Sequence, residues 1–133
     1  MAGSVLWEVQ KAVFAILDGD GTLTAIGPIY DHVPTNTDPP YVVVGDGTEV
    51  DWPRFGTAGR EATITVHSWS RAKGMKELIS IIDRIATLMD GTVLSLTGWT
   101  ALRADAQFST VIREGDGTVR HGVQRFRIFA SAD

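Results

Sequence analysis

Residues 61–71 read Glu61-Ala62-Thr63-Ile64-Thr65-Val66-His67-Ser68-Trp69-Ser70-Arg71, and behind them Leu78, Ile81, Ile82, Ile85, Leu88 and Met89 recur at three-to-four-residue spacing. The first stretch alternates at every residue. Ala62, Ile64, Val66 and Ser68 share one side of a strand, while Thr63, Thr65, His67 and Trp69 share the other. The second stretch is one apolar stripe of a helix over residues 73–90, and Gly91 is a good C-terminal cap. A strand with one apolar face, followed at once by a helix with one apolar stripe, implies a sheet with helices on it.

Working outward, the pattern repeats on both sides. Val5, Leu6, Val9, Val13, Ile16 and Leu17 form a helical stripe over residues 4–17, with Ser4 as N-cap. Asp18-Gly19-Asp20-Gly21 stops that helix, and Asp20 caps a short turn over residues 23–26. Residues 29–33 and the β-branched run 41–45 read as strands, separated by a connector with three prolines. Residues 46–59 read as a long loop carrying Trp52, Arg54 and Phe55, and long loops in compact domains are commonly functional. Residues 92–96 and 100–114 are strand-like, with a break near Gly98. Gly115-Asp116-Gly117 turns the chain into a last strand ending near Ala130. Asp-Gly-Thr occurs four times, at 20–22, 46–48, 90–92 and 116–118, at irregular spacing, which is turn chemistry and not a repeat. The expected fold is α+β: a mostly antiparallel β-sheet with two main helices packed on one face, in a single domain over residues 1–133.

The 133 residues are enough to bury roughly two-thirds of the unfolded surface without a covalent staple. No cysteine is present, which excludes disulfides, thiolate metal sites and a cysteine nucleophile, and fits a reducing compartment. The net charge of −4 and the lack of any Lys/Arg cluster argue against sequence-specific DNA binding. Neither a signal-peptide pattern nor an apolar run approaching the ~20 residues of a membrane span is found, so a soluble, cytoplasmically made protein is expected.

Several motifs invite chemistry. Residues 13–23 resemble the first motif of haloacid-dehalogenase-type phosphatases, with Asp18 as nucleophile and Asp20 as general acid/base beside magnesium. Against this, the upstream segment has helical periodicity, no acidic pair follows downstream, and the strand–helix repeats of that fold are missing. A calcium loop fails because Thr22 and Ile29 stand where carboxylate ligands are needed. His32, His67 and His121 lie on separate segments without short ligand spacing, so no metal or other cofactor is expected. Trp7 and Trp69 read as packing residues. Trp52 has two readings, a protein contact or local burial by its own loop.

Taken together, the ordered segments resemble a known family. They are Gln10-Lys11-Ala12-Val13, Ile29-Tyr30-Asp31-His32-Val33-Pro34, Pro40-Tyr41-Val42-Val43-Val44-Gly45, His67-Ser68-Trp69-Ser70-Arg71, and Arg120-His121-Gly122-Val123-Gln124-Arg125-Phe126-Arg127. In this order, from about residue 6 to 129, they resemble the tail completion (tail terminator) proteins of long-tailed phages and gene transfer agents. The resemblance implies a structural, non-enzymatic virion protein of the tail or neck, assembled in the bacterial host cytoplasm. It implies a homo-oligomeric ring, a hexamer by family inference, that stops tube growth and joins the tail tube protein to the head-tail connector. The genome DNA would pass through the lumen without sequence-specific binding, and no membrane is involved. Trp52, Arg54, Phe55, Arg113, Asp116 and Arg120, on the long loop and the hairpin tip, are assigned to protein contacts for their exposure and polarity. Two other classes stay open: the magnesium phosphatase on Asp18 and Asp20, and a free-standing protein-binding module using the same aromatic loop.

Overall fold

The structure, a computed structural model, describes residues 3–115 and 117–133. Helix α1 (Leu6–Asp18) opens the fold and a single turn, α2 (Gly21–Thr24), follows. Strands β1 (Ile29–Tyr30), β2 (Tyr41–Asp51) and β3 (Gly59–Ser70) come next, then helix α3 (Lys76–Met89). Strands β4 (Trp99–Ala101), β5 (Asp105–Glu114) and β6 (Val119–Ala132) complete the chain. The sheet runs β1-β2-β3-β6-β4, and β5 also pairs with β6, beside β4 along the same edge. It is antiparallel except for β1, which lies parallel to β2.

The two long helices pack on one face, as the stripes require. Val9, Val13 and Leu17 of α1 and Leu78, Ile81, Ile85 and Met89 of α3 are buried. Beneath them lie Val42 and Val44 of β2, Ala62, Ile64 and Val66 of β3, and Phe126, Ile128 and Ala130 of β6. Each large apolar side chain taken out of water contributes about 1.5–3 kcal/mol, so this single layer dominates the stability. The cap of α1 is shared between strand and helix. Ser4 donates to the Glu49 carboxylate of β2, and Glu49 Oε1 accepts the Val5 N–H at 3.0 Å. Ser4 Oγ in turn accepts the Leu6 N–H at 3.1 Å.

Several expectations are corrected. The long loop expected over residues 46–59 is half strand. A bulge between Gly45 and Gly47 takes up Asp46, whose φ is 54°, and pairing with β3 resumes through Asp51. One extra residue is absorbed by the bulge and the β-branched residues beyond it keep their ladder. Only residues 52–58 remain as a connection. The Asp-Gly-Thr at 46–48 is thus a bulge, not a turn, whereas Asp20 caps α2 and Asp90 ends α3, each at a helix boundary. Residues 92–96 form no strand, having only the isolated bridge of Val93 to Arg103. The expected run 100–114 is split between β4 and β5, and the strand over 29–33 is only two residues long. Asp31 leaves the ladder to meet Gln10 Nε2 at 2.6 Å.

Helix α3 comes close to the sheet at Gly122 on β6. A methyl group placed there would lie 2.6 Å from Ser68 Oγ and 2.9 Å from Ile82 Cδ1. Gly122→Ala is therefore expected to destabilise the fold by about 1–3 kcal/mol, the usual cost of overpacking a tight core. A urea midpoint at or above that of the parent chain would refute this packing account.

Candidate functional site

With the helices on one side, the other face of the sheet is left uncovered. Alternation places Tyr41 and Val43 of β2, Thr63, Thr65, His67 and Trp69 of β3, and His121, Val123, Arg125, Arg127 and Phe129 of β6 on it. The register sets them in rows. Tyr41, Trp69, His121 and Ile112 face one another across four strands. Trp69 stacks on His121 at 4.3 Å between ring centroids and 8° between planes, and Tyr41 lies 5.2 Å from Trp69.

Beside that row a chain of hydrogen bonds crosses the same four strands. Asp46 Oδ2 lies 2.8 Å from His67 Nε2, His67 Nδ1 lies 2.8 Å from His121 Nε2, and His121 Nδ1 lies 2.8 Å from Glu114 Oε1. The bulge sends the Asp46 side chain out over His67. With both carboxylates ionised, each end of the chain takes a proton from a ring nitrogen, and between the rings one nitrogen donates and the other accepts. His67 and His121 are therefore partners, although the sequence sets them 54 positions apart. Their outward parity on two alternating strands was the available signal, and only the β3–β6 register could turn it into a contact. His32 is exposed between β1 and β2. Among the described residues no group of His, Asp and Glu is arranged to hold a metal ion.

The residues assigned to contacts lie at the two ends of this face. Strands β2 and β3 are joined at one end by residues 52–58, and β5 and β6 are joined at the other by residues 115–118. The register proves the opposition: Gly59 pairs with Ser131, while Ser70 pairs with Arg120. At about 3.3 Å per residue, the strands hold the two hairpins roughly 40 Å apart. At the first tip Phe55 is fully exposed, and Arg54 lies over the Trp52 ring at 4.4 Å. Trp52 is half-buried between Arg54 of its own loop and Phe129 of β6, whose ring lies 4.9 Å away. At the second tip Arg113 is exposed, whereas Arg120 is half-buried and donates to the Ala72 carbonyl at 3.0 Å. Asp116 lies outside the described residues. Trp7 is corrected: it is 60% exposed on the outer side of α1, not packed.

The acidic motif at residues 18–22 is part of the scaffold. The segment before it is helix, not strand, and Asp18 is its exposed last residue. Asp20 caps α2 through the Leu23 N–H at 2.9 Å and takes two hydrogen bonds from Arg84 of α3, at 2.9 and 2.7 Å. The Arg84 guanidinium, then the Leu23 N–H, hold the Asp20 carboxyl down at about 2, below its ordinary 3.8. A carboxylate so engaged is a brace between α2 and α3, unsuited to proton transfer near neutral pH.

Comparison with known proteins places this geometry. Residues 11–131 match the family model described as tail completion protein gp17. The tail completion protein gp17 of Bacillus phage SPP1 is 26% identical over 120 residues, covering 90% of this chain and 89% of that protein. A chain in a solved structure titled as the virion of a native gene transfer agent particle aligns with a TM-score of 0.90. That alignment spans 98% of this chain and 100% of the other at 20% identity, a likeness of fold.

Two outcomes follow from the site. His67→Ala and His121→Ala should couple, with an interaction energy of about 0.5–3 kcal/mol in a double-mutant cycle read by urea unfolding. Strict additivity would mean that the two rings do not support each other. Because the Asp20 carboxyl is depressed, its contribution to stability is present above about pH 4 and lost as pH falls toward about 2. Asp20→Asn should lower Tm at pH 7, and the gap to the parent chain should close between pH 4 and 2. A gap of constant size across that range would contradict the Arg84 brace.

Proposed function

The chain belongs to the tail completion protein gp17 family, and we propose that it is a terminator subunit, one copy in a ring that caps the tail tube and joins it to the head connector. At the family level it is a structural tail protein of the phage type, not an enzyme. The observation that carries the finer proposal is the opposition of the two hairpins across one sheet. A tube grows by repeating one heterologous contact along its axis. A subunit that ends growth needs one surface matching the last tube ring and another, on the far side, that does not match a tube subunit. Two hairpins of different chemistry at opposite ends of a stiff sheet meet that need. One offers Phe55 and Arg54, the other Arg113.

In this proposal the ring has six copies, assembles in the host cytoplasm and stays in the virion neck. The genome passes through its lumen without base-specific contacts, consistent with the absence of a basic cluster in the sequence. No helix among the described residues is long and apolar enough to cross a membrane.

Two readouts test this. In cryo-electron microscopy of the particle neck, a ring of these chains should lie between tube and connector, and an intact neck without such a ring would refute the proposal. Arg54→Glu and Arg113→Glu should each leave a folded chain and weaken one junction by roughly ten-fold, as loss of an interface anchor does. Failure at the tube end would appear as overlong tails, and failure at the connector end as tails of normal length without heads. Normal tails and normal joining in the double variant would remove both hairpins from the contact.

A further inference from the structure

The edges of the sheet carry apolar surface that the hairpins do not account for. Strand β5 pairs with β6 along one side and is exposed at every position except Val111. Its middle, Gln107-Phe108-Ser109-Thr110-Val111-Ile112, contains no charge and no proline, two of the features that guard an edge strand from another chain, and its one irregularity is the register shift between Ala106 and Phe108. Phe108 and Ile112 are 42% and 45% exposed there, and the Arg125 guanidinium stands 4.5 Å over the Phe108 ring.

The opposite edge is receptive. Strand β1 covers β2 only at Val42 and Val43. Beyond it, Gln10 of α1 donates to the Val44 carbonyl at 2.8 Å. Trp7, Gln10, Lys11, Phe14 and Asp31 line an open groove of about 230 Å³ at this edge. Small-molecule pockets run roughly 300–1,000 Å³, so a groove of this size suits one inserted side chain better than a ligand. Lys11 is matched by Glu8 at 2.8 Å, whereas Asp31 is held by the neutral Gln10 amide. The groove therefore presents an aromatic floor and a carboxylate, and β5 presents an aromatic ring under a guanidinium.

We propose that copies of this chain join edge to edge, with Phe108 and Arg125 of one copy seated in the groove formed by Trp7, Phe14 and Asp31 of the next. This rests on the ring proposed above and names its lateral contact. A second copy is the occupant because one chain supplies both halves on opposite edges, an aromatic ring with a guanidinium on one and aromatic rings with a carboxylate on the other. Such a contact is heterologous, so it repeats from copy to copy. The two halves also face different ways, Phe108 out of the uncovered sheet face and the groove along the sheet edge. Seating one in the other turns each copy relative to the last, and such a contact forms a ring when the rotation divides a full turn evenly without a rise along the axis.

The chain has no cysteine, so engineered pairs can be read without background. Particles carrying Lys11→Cys together with Thr110→Cys are treated with a short bismaleimide. The expected result is a ladder of covalent oligomers up to the ring size, with monomers from either single variant. Linking of Thr110→Cys to itself would show a two-fold β5-to-β5 contact and overturn the proposal. Monomers from the double variant, in tails whose ends carry a ring by electron microscopy, would overturn the edge contact and leave the ring standing. Tails without a ring of this chain would remove both. As a second variant, Phe108→Asp lies on an exposed strand and should keep its Tm while entering tails roughly ten-fold less efficiently. Full incorporation of that variant would also overturn the proposal.

Discussion

The twelve-residue register between β3 and β6 fixes everything else. Side chains on a strand alternate, so a slip of β6 by one residue would turn Phe126 and Ile128 outward and bring Arg125 and Arg127 under the helices. Burying those charges would cost far more than any rearrangement could return. The apolar pattern therefore fixes the parity of the pairing, and that parity decides which face receives α1 and α3 and which stays open. The pairing itself decides that the β2–β3 and β5–β6 connections leave the sheet at opposite ends.

Polar groups inside the layer sharpen the same choice. Gln124, almost wholly buried on β6, donates to the Ile82 carbonyl of α3 at 3.0 Å. Ser70 donates to Glu77 at 2.7 Å in the first turn of that helix, and Arg120 reaches the Ala72 carbonyl just before it. Apolar contact alone would let α3 slide along the sheet, because it is not directional. These hydrogen bonds set its position, and Gly122 sets its depth by letting Ile82 and Ser68 come within contact of the β6 backbone. Arg120 thus belongs to the anchoring of α3 as well as to the hairpin beside it.

Much of this was legible in the sequence, for identifiable reasons. The stripes of α1 and α3 and the alternation of β3 and β6 are periodic over many residues, and periodicity survives without tertiary knowledge. The continuation of β2 past Asp46 was not legible. Gly45-Asp46-Gly47 reads as a turn, and whether such residues turn or bulge depends on whether a partner strand waits beyond them, as β3 does. Trp7 was misread because its helix is amphipathic as a whole, and one aromatic outside the stripe is invisible to a periodic count. The assigned contact residues were chosen for exposure. Phe55 and Arg113 are indeed exposed, while Trp52 and Arg120 are half-buried by neighbours distant in sequence. The Asp46, His67, His121 and Glu114 chain needs four strands in register at once, information no local window contains.

That chain bears on how a sheet with one bare face can serve as a spacer. Antiparallel ladders resist stretching but twist and shear readily, and an open face lacks the second layer that would stiffen it. Here three hydrogen bonds and a run of stacked rings tie β2, β3, β6 and β5 together across the strands, on the side the helices do not reach. The ties lie in the half of the sheet nearer the β5–β6 hairpin, and Trp52 on Phe129 fastens the other end. For a subunit proposed to sit between two preformed assemblies, that stiffness matters more than added stability, because both ends must be presented at a fixed separation and angle before either neighbour arrives.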